Sequence, residues 1–191
     1  MPTKRENKLS SNKILFVVNS LDVGGAENVL FNILKDKNHE ETLIISLTKL
    51  GCYGLELKNQ GYQIYVLNMK KNILCLLKII ELIYLIIKFK PLIVHTWLYH
   101  ANLIGGVLAK IAGVKKIFWS IHHDFEYSNL LGMFEMKILS ILSYYIPNKI
   151  VYCSKSSKIN HIKNGFNPIN SLLIENGVSL KTFYPNNKLR N

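Results

Sequence analysis

Two unbroken apolar runs, Ile14-Leu15-Phe16-Val17-Val18 and Leu92-Ile93-Val94, do most to limit what this chain can fold into. A strand that is apolar at every position has both faces covered, which is the condition of a parallel strand with helices above and below it. β-rich runs occupy residues 14–18, 42–47, 63–67, 92–96, 116–121, 149–153 and 171–174. Helical patterning fills the intervals at 26–35, 54–59, 73–89, 101–112, 130–145 and 155–163. Gly61, Pro91 and Gly113 stand where three of those helices should stop. Strand followed by helix with this regularity predicts an α/β fold, a Rossmann-like doubly wound parallel sheet.

A chain of 191 residues suits one packed domain, and a composition of 49% hydrophobic and 19% charged residues excludes disorder. Residues 1–12 form a polar tail with no apolar core, so they do not make a signal peptide. The nearest thing to a membrane span is residues 73–87, but Lys78 and Glu81 interrupt it and it is too short for about 30 Å of hydrocarbon. Because Lys71, Lys78, Glu81 and Lys88 share one narrow stripe, this stretch is expected to be a core helix lying in a groove on the sheet. A helix on a membrane surface is the other reading.

The net charge of +12 comes from 24 basic and 12 acidic residues, and Arg occurs only at Arg5 and Arg190. Base readers rely on bidentate Arg, so no nucleic-acid partner is expected. Diffuse Lys charge, including the loose face Lys155, Lys158 and Lys163, suits anionic lipid or plain solvation. Cys52, Cys75 and Cys153 are odd in number and widely spaced, which supports neither a disulfide framework nor a metal site and fits a reducing cytoplasm.

In open α/β sheets ligands bind beyond the carboxyl ends of the strands. The first such loop, Asn19 to Glu27, has neither the G-x-G-x-x-G spacing of a dinucleotide site nor a Gly-Lys-Ser/Thr. Its Gly24-Gly25 pair entering a helix either cradles an anion on free amides or simply makes a tight turn. His95, Trp97, His100 and Asn102 follow the fourth strand, while His122, His123 and Asp124 follow the fifth, so two clusters should converge on one mouth. His95 reads equally as a core histidine, and His100 and Asn102 as the start of the next helix. No ligand spacing for a metal recurs, and no cofactor is indicated. Asn176-Gly177-Val178 reads as a turn with a left-handed Gly.

Four segments carry a family resemblance. "KILFVVNSLDVGGAENVLFNIL" resembles the opening of family-four retaining glycosyltransferases, and "PLIVHTWLYHANLIGGVLAKIAGV" resembles their fourth strand and following helix. "IFWSIHHDF" is similar to their next strand with its His-containing end, and "IENGVSLKTFYP" to the Asn-Gly-Val segment that closes the N-terminal domain.

The resemblance implies a GT-B enzyme, in which two Rossmann-like domains face each other across a cleft. Residues 13–185 would be the N-terminal, acceptor-side domain and 186–191 a truncated linker, with the C-terminal donor domain absent. Gly24 and Gly25 would then offer amides to the donor diphosphate, and His123 would be the catalytic histidine, with His122 where Arg is common. His95, Trp97, His100, Asn102, His122, Asp124, Asn176 and Gly177 would line the cleft or meet the acceptor.

The implied partners are a nucleotide-sugar donor, shared with the missing domain, and a cell-surface polysaccharide or lipid-linked acceptor. The implied location is the cytoplasm, with peripheral attachment to the inner face of the membrane. Alone, the chain is expected to have little activity. Two other readings stand beside this one: a non-catalytic binding subunit that pairs with a separately encoded donor half, and an unrelated Rossmann-like domain for a small phosphorylated ligand.

Overall fold

The computed structural model describes residues 12–35, 39–69, 75–124 and 130–177. Residues 1–11, Lys71, the first two positions of the helix expected at 73 and everything after Gly177, including Val178 and the 186–191 segment, lie outside them. Each β-rich run forms a strand: β1 Ile14–Ser20, β2 Thr42–Lys49, β3 Gln63–Val66, β4 Ile93–Trp97, β5 Lys116–Ile121, β6 Lys149–Tyr152 and β7 Ser171–Leu173. The helices between them are α1 Gly25–Leu34, α2 Gly51–Asn59, α3 Cys75–Phe89, α4 Tyr99–Ile111, α5 Leu130–Leu142 and α6 Lys155–Lys163.

All neighbouring strands run parallel, in the order β3-β2-β1-β4-β5-β6-β7. From β1 the chain steps outward to β2 and β3, returns through α3, and then steps the other way from β4. The order therefore reverses between β1 and β4, and the carboxyl ends of these two strands form the natural ligand crevice of such a sheet.

Strand alternation sorts the core into two layers. Leu15, Val17, Leu43, Ile45, Val94, Trp119 and Ile121 pack with α3, α4 and α5, whereas Phe16, Val18, Ile44 and Trp97 pack with α1 and α2. Gly105 and Gly106 bring α4 close to the sheet. A Cβ at Gly105 would strike Val17 and Thr96, and one at Gly106 would strike the indole of Trp119. That close approach seats the first turn of α4 beside the ends of β4 and β5.

The structure corrects the reading of the apolar 73–89 helix. In α3 only Leu82, Leu85 and Ile86 are buried, while Leu76, Leu77, Ile80, Tyr84 and Ile87 face outward. Three buried aliphatic side chains, each worth about 1.5–3 kcal/mol, suffice to hold the helix down. It lies on the sheet with one apolar face open instead of filling a groove. Helix α5 shows the same excess, with Leu130 at 82% and Leu131 at 80% exposure. Among the described residues no helix is long and apolar enough to cross a membrane.

Candidate functional site

Strand β1 delivers Asn19 and Ser20 to the crevice, and the chain then turns through Leu21–Gly24 into α1. Gly24 is extended (φ −168°, ψ 163°), Gly25 is the first helical residue, and the described glycines with positive φ are Gly51, Gly61, Gly113 and Gly165. The strand-to-helix turn is tight, but its backbone torsions do not require glycine at 24 or 25, and Gly177 is not left-handed. A Cβ on Gly25 would meet nothing within 4 Å, and one on Gly24 would meet only the end of the Glu27 side chain. What the pair leaves is open space over the first turn of α1, whose cap position makes no side-chain hydrogen bond. Free first-turn amides and the helix dipole favour an anion there, with the Glu27 carboxylate now lying over the same turn.

A residue outside the sequence reading fixes this loop. Gly51 begins α2 at φ +66°, and a Cβ there would fall on the backbone of Leu21 and Asp22. Asp22 pairs with Lys49, and this cation, with backbone amides of Val23 and Cys52, holds its carboxyl below the usual range.

At the end of β4, Trp97 stacks on His122, with ring centroids 4.4 Å apart and planes 12° from parallel. Leu98 follows at φ +72°, ψ 164°, a region that non-glycine residues seldom enter and that costs about 1–3 kcal/mol. The Trp97 indole nitrogen, both imidazole nitrogens of His122 and the side-chain oxygen of Asn19 are buried without a hydrogen-bond partner. Asn19, Ser20, Glu27, Trp97 and Leu98 line one small pocket, so the glycine loop and the indole share a wall. Burial, helped by the nearby His123, pushes the His122 pKa down to about 4, so the ring is neutral at pH 7 and offers one donor and one acceptor.

His123 and Asp124 lie exposed just past β5. Helix α6 holds their backbone and side chain: Ser157 Oγ donates to the His123 carbonyl at 2.7 Å, and Ser156 Oγ donates to the Asp124 carboxylate at 3.2 Å. The Tyr99 ring meets the His123 imidazole edge to face at 4.4 Å.

The other expected site residues separate from this mouth. His95 sits one pleat below Trp97 among Phe16, Trp97 and Phe118, with Nε2 2.8 Å from Ser120 Oγ, and burial pushes its pKa down to about 4. Asn102 is wholly buried in α4, accepting from Thr96 Oγ1 at 2.6 Å and donating toward the Ser120 carbonyl at 3.4 Å. His100 is on the outer side of α4, paired with Glu135 of α5. Asn176 and Gly177 are exposed beyond β7, the edge strand farthest from β1 on that side. Trp97 and His122 thus meet, with Leu98 and, from the first loop, Asn19 and Glu27 beside the indole, while His123 and Asp124 form a second group with Tyr99, Ser157 and His161. The strand-end rule reaches Asn19, but no sequence signal marks Tyr99, Ser157 and His161, because their contacts span 25 to 62 residues. Among the described residues no group of three His, Cys, Asp or Glu side chains is arranged to hold a metal.

A parallel seven-stranded sheet, reversing at β1/β4 and carrying its polar residues on the carboxyl edge, has the Rossmann-like fold found in GT-B glycosyltransferase structures. Residues 23–182 match the model of Glycosyltransferase Family 4, and the chain belongs to that family. No curated protein matches it in sequence. Among solved structures, Anabaena HepE in complex with UDP-glucose shares 18% identity and a TM-score of 0.75 over 92% of this chain and 47% of its own. The lipopolysaccharide outer core galactosyltransferase WaaB, in its apo form, shares 17% and 0.63 over 89% of this chain and 47% of its own. The UDP-N-acetylglucosamine 2-epimerase of Rickettsia bellii shares 15% and 0.60 over 86% and 44%. The chain spans less than half the length of each, and identities this low establish the fold alone.

Proposed function

We propose that this chain is the acceptor-side domain of a retaining glycosyltransferase that moves a sugar from a nucleotide-sugar to a cell-surface polysaccharide or lipid-linked acceptor. The observation that carries the reading is the set of buried, unpartnered polar atoms on Asn19, Trp97 and His122, beside the open first turn of α1. Such atoms cost about 1–3 kcal/mol each when nothing meets them. Their mixture of donors and acceptors matches hydroxyl groups, which both give and take hydrogen bonds, while the amides at Gly25 match a diphosphate. HepE, solved with UDP and with UDP-glucose, supports a uridine diphosphate sugar as the donor class.

In this arrangement the first turn of α1 meets the diphosphate as negative charge builds on it, and Glu27 swings aside. His123 points its imidazole at the sugar or phosphate oxygen where charge develops, and Trp97 and His122 hold hydroxyls of the acceptor. A second domain supplies the pocket for base and ribose, so the chain alone binds nucleotide-sugars weakly. The Lys charge and the open apolar faces of α3 and α5 support a peripheral position on the cytoplasmic face of the membrane.

The test reads the indole directly. The chain has two tryptophans, so Trp97→Phe assigns the Trp97 Nε1–H resonance. Titration of the chain with glucose, galactose and their β-glycosides should move that resonance and leave Trp119 still. No movement with any saccharide would remove the acceptor reading. Low-micromolar binding of a uridine or guanosine diphosphate sugar to the chain alone would remove the shared-donor reading.

A further inference from the structure

Tyr99, Ser157 and His161 close a circuit on His123, and we infer that they are positioning residues that fix both its backbone and its ring. His161 Nδ1 lies 2.7 Å from the Ser157 carbonyl oxygen, which only accepts, so Nδ1 carries the proton. Its Nε2 is then a lone pair, and Tyr99 Oη, 2.6 Å away, must donate to it. Ser157 Oγ turns the other way and donates to the His123 carbonyl at 2.7 Å. The Tyr99 ring completes the loop by standing edge to face against the His123 imidazole at 4.4 Å, with planes at 74°.

The sequence order shows why this is a device of the fold rather than of one loop. Tyr99 opens α4, His123 follows β5, and Ser157 and His161 share one face of α6, a turn apart. The three segments leave neighbouring strands, β4, β5 and β6, at the same edge. Each link has a local support. Leu98, at φ +72°, turns the chain so that Tyr99 faces the β5 edge while Trp97 stays on the opposite layer. Ser154 caps α6 by accepting from the Ser157 amide at 3.1 Å, which sets Ser157 in the first turn. His161 is wholly buried, and its ring is packed by Tyr152 and Phe166, so it cannot rotate away from Tyr99 without opening the core.

A neutral, buried imidazole held by two hydrogen bonds and two aromatic rings is a rigid anchor. What it anchors is the Tyr99 ring, which lies against the exposed His123 imidazole. The catalytic consequence rests on the reading that His123 faces the reacting group. The positioning does not.

The experiment is imidazole NMR on the full chain, which needs no substrate. Two-bond proton–nitrogen spectra should show His161 as the Nδ1–H tautomer at neutral pH. The Tyr99 ring current should displace the His123 ring protons from their unstructured positions. Tyr99→Phe keeps the ring but removes the donor, and His161→Leu removes the acceptor; each should at least halve that displacement. His161→Gln, whose side-chain oxygen can replace Nε2, should restore most of it. Amide spectra check that each variant is folded. Wild-type His123 shifts in folded Tyr99→Phe and His161→Leu, or an Nε2–H tautomer at His161, would overturn the inference. In the enzyme completed with a matching donor domain, Tyr99→Phe should lower kcat several-fold with KM little changed. Altered His123 shifts with an unaltered kcat would uphold the positioning and overturn the catalytic role given to His123 above.

Discussion

The indole of Trp97 and the imidazole of His122 lie face to face, 4.4 Å apart and 12° from parallel, at the ends of two neighbouring strands. Trp97 is buried and His122 half-buried, yet all three of their nitrogens are out of reach of solvent and without a hydrogen-bond partner. Packing alone would be served as well by apolar rings. In the completed enzyme Trp97→Phe and His122→Phe should therefore leave the melting temperature within a few degrees of wild type or raise it. Transfer should fall by about ten- to a hundred-fold, through the loss of one or two hydroxyl contacts at about 1.5 kcal/mol each. Thermal melting and initial rates measured on the same samples decide it. Full activity in both variants would make the pair a core feature only.

Protonation gives a second test. Burial pushes the pKa values of His95, His122 and His161 down to about 4, whereas an exposed imidazole titrates near 6.5. Below pH 6.5 the unfolded chain binds protons at these sites and the folded chain does not until about pH 4. Stability is thus complete above the upper value and falls as pH drops through the window, by up to about 1.4 kcal/mol per pH unit for each histidine. Melting curves between neutral pH and pH about 5 should show a steep decline that is shallower in His95→Gln. A flat profile in the wild type would contradict the desolvation of these rings.

The glycines of the first loop should behave in opposite ways. Gly25→Ala should be neutral or slightly stabilising, by up to about 1 kcal/mol, because the residue is helical and its Cβ would enter open space. Gly51→Ala should destabilise by more than about 2 kcal/mol, since φ is +66° and the Cβ would fall on the Leu21 and Asp22 backbone. Urea unfolding of the chain measures both. In the completed enzyme Gly25→Val should fold normally and lose more activity than His95→Ala, because its side chain fills the space over the α1 amides. Near wild-type rates for a folded Gly25→Val would displace the diphosphate from that turn.

Asn102 separates structure from chemistry. Its amide bridges Thr96 and the Ser120 carbonyl inside the core, so Asn102→Ala should cost about 1–3 kcal/mol by removing the short Thr96 hydrogen bond and leaving a cavity. The Ser120 carbonyl keeps the Leu98 amide, and the Thr96 hydroxyl keeps the Phe118 carbonyl at 3.4 Å. Activity per folded molecule should not change. A specific loss of transfer without loss of stability would return Asn102 to the cleft.

Membrane attachment is testable on the chain alone. Flotation with vesicles containing anionic lipid should recover the protein at low salt and release it at high salt. Replacing Leu77 and Ile80 on the open face of α3 with serine should reduce recovery. No flotation at low salt would return the Lys charge to ordinary solvation.

The order of strands and helices was readable in the amino-acid sequence because apolar periodicity is a local property. Runs such as Ile14 to Val18 and Leu92 to Val94 are unbroken and short, as expected of parallel strands covered on both faces. The strand-end rule then located the Gly24-Gly25 loop, Trp97 and the His122-His123 pair, and four motifs in order identified the family. Local pattern could not tell which of the six histidines is partnered, since that depends on residues far away in the chain. His95 and Trp97 differ by a single pleat, yet one hydrogen-bonds Ser120 and the other is left unmet at the edge. His161 lies in the helix whose Lys155, Lys158 and Lys163 read as a loose basic face, and only the packing of α6 on β6 and β7 buries it against Tyr99. Gly51 lies before the helix expected at 54–59 and carries no local signal, yet its missing Cβ lets α2 rest on the Asp22 loop. Sequence spacing sets which side of a strand a residue occupies. Only the meeting of separate segments decides whether its polar atoms are satisfied, and at this edge the unsatisfied ones mark the candidate site.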